Sequence, residues 1–248
     1  MIFSKIEWHE SLASTNSLLL ERVVGGKILE PGFVVAARQQ TAGRGRYERK
    51  WIAPAGKNLT FSFLLTPHAE PEKMVSLTLA TALGVAEALT HFGVQAQTKW
   101  PNDVLVTNKK ICGILAERAD VSSSTAIVVG VGINVNASTD ELAAIDRPAT
   151  SILAETGEET LIETVLERVL ESLSTWIDQW QEGGFPILEK AWLERCSGVG
   201  EHIRVGESGS AQEGILEGFG QFGQLLLRSD DGTVNEIWAG DVNWREDQ

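Results

Sequence analysis

Cysteine is nearly absent: Cys112 and Cys196 are the only two in 248 residues, and neither lies in a CxxC pair. That excludes a disulfide framework and a paired-cysteine zinc site, and makes a reducing cytosol the simplest compartment. No apolar run approaches the roughly 18 residues of a membrane helix, and the first eight residues hold no signal-peptide core. Positive charge is scarce too. Lys and Arg number 21 against 34 Asp and Glu, a net charge of −13, which argues against a nucleic-acid or membrane-surface binder. There is no HExxH, GxSxG or Walker A motif, and the four histidines are scattered.

What is present is an ordinary globular composition, 43% hydrophobic and 22% charged. The patterning predicts an α/β (α+β) chain in two parts. Over residues 1–195 strands and helices mix. Residues 2–8 alternate as a half-buried strand, and a helix follows that Ser14 or Thr15 can cap. Gly32–Ala37 and Asn58–Leu65 read as strands, and helical spacing runs from Pro71 to His91. Val104–Val106 and Ile111–Glu117 form a predicted hairpin. Ala126–Val135, the most β-rich run, is the expected central strand, with Gly130 and Gly132 allowing close approach of another group. An amphipathic helix over 160–182 breaks at Gly183-Gly184 and leads into a shorter one. Over residues 196–248 glycine is frequent and short apolar pieces alternate around an Asp230-Asp231-Gly232 turn, as in a small β-barrel. Gly218–Gly223 matches GxGxxG but leads into a strand, so it reads as a turn rather than a dinucleotide fingerprint.

One segment contradicts the acidic character of the whole. Between Gln40 and Trp51, Arg44, Arg46, Arg49 and Lys50 fall within seven positions, with Gly43 and Gly45 among them. Guanidinium forks suit carboxylate and phosphate, and glycines let backbone N–H groups face a ligand. The segment joins two predicted strands and reads as a small-anion site.

Together with Ser14-Thr15-Asn16, the Lys99-Trp100-Pro101-Asn102-Asp103 block, Lys110 before Gly113-Ile114-Leu115, and Gly130 to Asn134, this loop resembles the biotin–protein ligase (biotin–[acetyl-CoA-carboxylase] ligase) family. The resemblance runs from about Ser11 to the C-terminal module, which it implies is SH3-like. It implies activation of biotin by ATP, with Mg²⁺, to biotinyl-5′-AMP, followed by transfer to a lysine of a biotin carboxyl carrier domain. By the same resemblance Ser14, Thr15, Asn16 and Gln40 meet the ureido ring. Gly43, Arg44, Gly45, Arg46 and Lys110 meet the carboxylate–phosphate junction, Lys99 supports the pocket floor, and Gly113 and Leu115 line the valeryl chain. Arg46, Arg49, Trp51, Asn102 and Asn134 contact the nucleotide, with Trp51 stacked on adenine, and Asp103 is the candidate metal ligand.

The family commonly has glycine where this chain has Glu48. Its bifunctional members carry an N-terminal helix-turn-helix that does not fit before Ser11, so a ligase without direct DNA binding is expected. A homodimer through an exposed edge of the main sheet is left open. Two alternatives stand beside this reading: a lipoate/octanoate–protein ligase, which would want a pocket for a long flexible chain, and a non-catalytic biotin sensor.

Overall fold

The computed structural model describes residue 3 and residues 5–66, 73–121, 124–206 and 211–244. Its centre is a seven-stranded sheet of order β1-β2-β3-β7-β6-β5-β4. The strands are β1 (Lys5–His9), β2 (Phe33–Ala37), β3 (Leu59–Leu65), β4 (Gln97–Lys99), β5 (Asp103–Val106), β6 (Lys109–Val121) and β7 (Ser124–Ile133). Only β1 and β2 pair in parallel, because α1 (Thr15–Val24) crosses over between them; the other pairs are antiparallel. The run richest in β-branched residues is β7, and it is the middle strand, as expected. Ile2, Ser4 and Pro71, assigned above to a strand and a helix start, lie outside the described residues.

The two sheet faces have different fates. Leu59, Phe61, Phe63 and Leu65 alternate onto one face and join the main core with α2 (Met74–Thr90), α5 (Ile162–Gly183) and α6 (Phe185–Arg195). Gly84 lets α2 approach α5 closely, since a Cβ there would lie 2.8 Å from Leu173 Cδ2. On the other face α1 packs Leu19 and Val23 against Val35 of β2, Leu64 of β3 and, from the far halves of β6 and β7, Ala119, Ala126 and Val128. The cleft lies beyond the N-terminus of α1, over Gly130–Gly132 of β7, Gly113–Leu115 of β6 and Asp103 of β5.

Two short helices went unpredicted. One is α3 (Thr139–Ala143), where Ser138 and Glu141 make a reciprocal capping box that the Ser-x-x-Glu spacing announces; the other is α4 (Ile152–Thr156), capped by Ser151.

The C-terminal strands β8 (His202–Val205), β9 (Gln212–Phe219), β10 (Leu225–Arg228), β11 (Val234–Ile237) and β12 (Val242–Trp244) form an antiparallel five-stranded sheet of order β11-β10-β9-β8-β12. The segment matching GxGxxG closes the β9–β10 turn. This sheet shares its core with the first part: Phe219 packs edge-on to Phe185 and Trp192, and Trp100 Nε1 donates to Gly223 O at 3.1 Å.

Candidate active site

The antiparallel registers align small and polar residues in two rows across the cleft face. Ser62, Gly130 and Leu115 form one row; Thr60, Gly132, Gly113 and Asp103 form the next. A side chain at Gly130 would overlap Asn16 Oδ1, and one at Gly132 would overlap the Trp51 indole. The two glycines of β7 therefore admit groups brought by α1 and by the basic loop. Above these rows runs a continuous cleft of about 2350 Å³. That exceeds a pocket for one small molecule, roughly 300–1000 Å³, and suits two ligands end to end.

At one end lies a neutral polar nest. Ser14 is the N-cap of α1, one of the two residues expected there: its Oγ accepts from Ser17 N–H at 3.4 Å. Its hydroxyl proton is not needed for that bond, and Ser14 also lines the cleft. Gln40 Oε1 accepts from Thr15 N–H at 2.7 Å and from Thr15 Oγ1 at 3.1 Å. Asn16 Nδ2 donates to Leu115 O at 3.2 Å and Glu117 Oε2 at 2.9 Å. Ser62 Oγ lies 2.5 Å from Asn16 Oδ1 and 2.6 Å from Thr15 Oγ1. Ser62 and Glu117 were missed from the sequence. Ser62 had a signal: a hydroxyl between Phe61 and Phe63 in a strand otherwise reading as core.

In the middle stands Lys110. Its Nζ is 2.6 Å from Asp103 Oδ1 and 5.9 Å from the Trp51 ring centroid. Asp103 Oδ1 is buried, and the approach of Lys110 is too oblique to count as a hydrogen bond. The β6 backbone is tied down around it. Lys110 N–H donates to Pro148 O and Thr150 N–H to Lys110 O, both at 2.9 Å. Asn134, buried, donates to Thr150 O at 2.9 Å and accepts from Asn58 at 3.0 Å. Asn134 is thus first a clamp at the end of β7. Beneath it, burial pushes the Cys112 thiol far above its ordinary value, so it is inert as a nucleophile.

The basic loop is a tight hairpin. Trp51 N–H donates to Gly43 O at 3.0 Å and Gly45 N–H to Arg49 O at 2.7 Å. Gly45 thus spends its N–H within the loop instead of presenting it to a ligand. Gly43 is needed for contact, since a Cβ there would lie 2.6 Å from Trp51 O. Tyr47 and Glu48 both have positive φ, 54° and 59°. The position that the family commonly fills with glycine is one where an L-residue carries strain. Among the described residues no ion pair joins Glu48 to Arg49 or Lys50.

The loop's cations diverge. Arg44 turns to the polar nest and meets Glu117 through two nitrogens, at 2.7 and 3.2 Å. Arg46 and Arg49 turn to the C-terminal sheet. Arg46 donates to Asn102 Oδ1 at 3.2 Å and Gly240 O at 3.3 Å, and Arg49 pairs with Asp241. Arg44 and Arg46, expected at one junction, therefore serve opposite ends, because Arg46 opens a single 3-10 turn after an extended Gly45. Lys99, expected under the pocket, sits 4.3 Å over the Trp244 ring of β12. Trp51, expected on adenine, lies against Gly113 and Gly132, and Gly113 belongs to the bed assigned to the valeryl chain.

A sheet face carrying a neutral hydrogen-bonding nest, a lysine–aspartate centre and an arginine loop has the donors and cations that suit a ligase acting on a small acid and a phosphate. The chain belongs to the biotin/lipoate A/B protein ligase family, whose model matches residues 8–134. Proteins named as biotin ligases are among its relatives. The biotin–[acetyl-CoA-carboxylase] ligase of Paracoccus denitrificans is 34% identical over 89% of this chain and 94% of its own. The bifunctional ligase/repressor BirA of Bacillus subtilis is 31% identical over 95% of this chain and 72% of its own. The biotin protein ligase from Aquifex aeolicus in complex with biotin and ATP superposes with a TM-score of 0.80 at 29% identity, covering 97% of this chain and 98% of that one.

Proposed function

We propose that this chain, an ATP-dependent biotin–protein ligase, binds biotin along the two small-residue rows and ATP beyond Lys110. The observation that carries the reading is the polarity sequence along one cleft: neutral donors and acceptors, then an apolar strip, then Lys110. Ser14, Thr15, Asn16 and Gln40 suit a ureido ring, which needs both donors and acceptors. Gly113 and Leu115 floor the chain path, with the Trp51 indole as its wall. Trp51 Nε1 is buried there with no partner among the described residues, which makes it a donor available to a bound acid.

Activation brings a carboxylate to the α-phosphate of ATP, two anions that repel. Lys110 offsets that charge at the junction, and Arg46 supplies a second cation at the nucleotide end beside Asn102. The carboxylate oxygen attacks phosphorus and pyrophosphate leaves; the neutral amine of an acceptor lysine in a carboxyl carrier domain then attacks the carbonyl of the mixed anhydride, forming the amide and releasing AMP and a proton. Asn102, Arg49 and Asn134 border the nucleotide end, with Lys99 at its C-terminal-module side. Mg²⁺ accompanies ATP and takes few protein ligands. Asp103, with a buried oxygen lacking a well-directed hydrogen bond, fits one such position. No group of three or more acidic, histidine or cysteine ligands exists among the described residues, so phosphate and water supply the rest.

No described helix is long and apolar enough to cross a membrane. We infer a cytosolic enzyme with a catalytic unit over residues 1–195 and a small module over 196–248, and the β1 edge of the sheet offers a route to a homodimer. Pyrophosphate exchange into ATP, run with biotin and with lipoate, tests the proposal. Biotin-dependent exchange is expected. Exchange with lipoate alone would move the chain to the lipoate branch, and none with either would leave a binding protein.

A further inference from the structure

We propose that Glu117 is a positioning residue for biotin activation, its carboxylate joining Asn16 in the ring nest to Arg44 in the basic loop. This rests on the reading of the cleft given above. Glu117 lies on β6 two residues beyond Leu115, so the strand's alternation puts it on the cleft face. Its Oε2 accepts from Asn16 Nδ2 at 2.9 Å and from Arg44 at 3.2 Å, and its Oε1 accepts from Arg44 at 2.7 Å.

The consequence for Asn16 is one of polarity. A carboxylate only accepts, and so does Leu115 O, so together they take both amide protons of Asn16. Its Oδ1 is thereby turned over Gly130, where it accepts from Ser62 Oγ at 2.5 Å and keeps a second lone pair for a ring N–H. Flipped, the amide would set its oxygen against two acceptors. The consequence for Arg44 is anchorage: a two-nitrogen fork holds the start of the loop beside the ring. An exposed Arg–Glu pair contributes little by itself. This carboxylate is only 20% exposed and serves groups from two elements, α1 and the loop. Ring capture and loop placement are therefore set by one group.

The test is pyrophosphate exchange by the full chain, with KM for biotin and for ATP measured separately. Glu117→Gln keeps the volume but removes the charge and turns one carboxylate oxygen into an NH2 donor, so it cannot accept from Asn16 and from both Arg44 nitrogens at once. Its biotin KM should rise roughly tenfold, the scale of a lost charge-assisted hydrogen bond, with ATP KM within about twofold. A second variant adds a readout that a mere structural tie would not move. Asn16→Asp sets two carboxylates against each other, and adding Glu117→Gln should restore part of the lost biotin affinity. An unchanged biotin KM in Glu117→Gln, an equal rise in both KM values, or failure of the rescue overturns the link alone. Absence of biotin-dependent exchange in the unaltered chain overturns the functional reading and this inference with it.

Discussion

Lys110 is the residue on which the proposed chemistry turns. Its ammonium sits between Asp103 and Trp51, and its backbone is held at both N–H and C=O. Lys110→Ala should lower biotin-dependent exchange by about a hundredfold or more, the scale for removing one preorganised charge from a developing anion. Exchange within a few-fold of normal would take Lys110 out of the junction. Glu48 raises the opposite question, since its side chain makes no ion pair with its basic neighbours while its backbone is in the left-handed region. Glu48→Gly should remove a strain of about 1 kcal/mol, partly offset by added freedom in the unfolded chain. Urea denaturation should show a small net gain, and a clear loss would mean the carboxylate has a partner that outweighs the strain.

At the scale of elements, the site depends on β7 lacking side chains where α1 and the loop approach. Gly130→Ala drives a methyl into Asn16, which is fixed by Leu115, Glu117 and Ser62. The variant should lose about 1–3 kcal/mol of stability, the usual cost of overpacking, and its biotin KM should rise; denaturation and exchange assays read the two. The β1–α1 unit has its own electrostatic tie. Arg22 bonds Glu7 through two nitrogens at 2.6 and 2.9 Å, and the guanidinium holds the Glu7 carboxyl down to about 2, from an ordinary 4.5. A depressed folded value means stability present above the unfolded value and lost as pH falls toward 2. Glu7→Gln should therefore be less stable than the unaltered chain near neutrality, with the difference shrinking between pH 4.5 and 2. A constant difference would show that Glu7 contributes by packing alone.

At the scale of the whole molecule, an anionic chain concentrates cations at one cleft and then divides them. Asp241 and Gly240 of the C-terminal module hold Arg46 and Arg49, while Trp244 covers Lys99. The module thus reaches the loop directly, which its sequence texture did not reveal. Asp241→Asn weakens that hold without changing side-chain volume. The arginines of the loop should then be cut faster by trypsin in the ligand-free chain, while the shared core around Phe219 keeps the unfolding midpoint close to normal. Equal cleavage rates would mean the loop is held by its own hairpin bonds.

Local rules made much of this protein legible. Alternation and β-branching marked β7 as central, the change of period marked α2 and α5, and the glycine–arginine run stood out against a net charge of −13. Residue types also announced the chemistry, because a ureido ring, an acid and a phosphate each require particular donors and charges. Partnership was decided only by the tertiary structure. Register across β3, β7 and β6 set Ser62, Gly130 and Leu115 in one row, and no single strand carries that information. The same holds for Trp51 on Gly113 and Gly132, for Lys99 under Trp244, and for Arg44 and Arg46 parting to opposite ends. Side-chain type follows from the chain itself; which group a side chain meets depends on contacts between residues far apart in it.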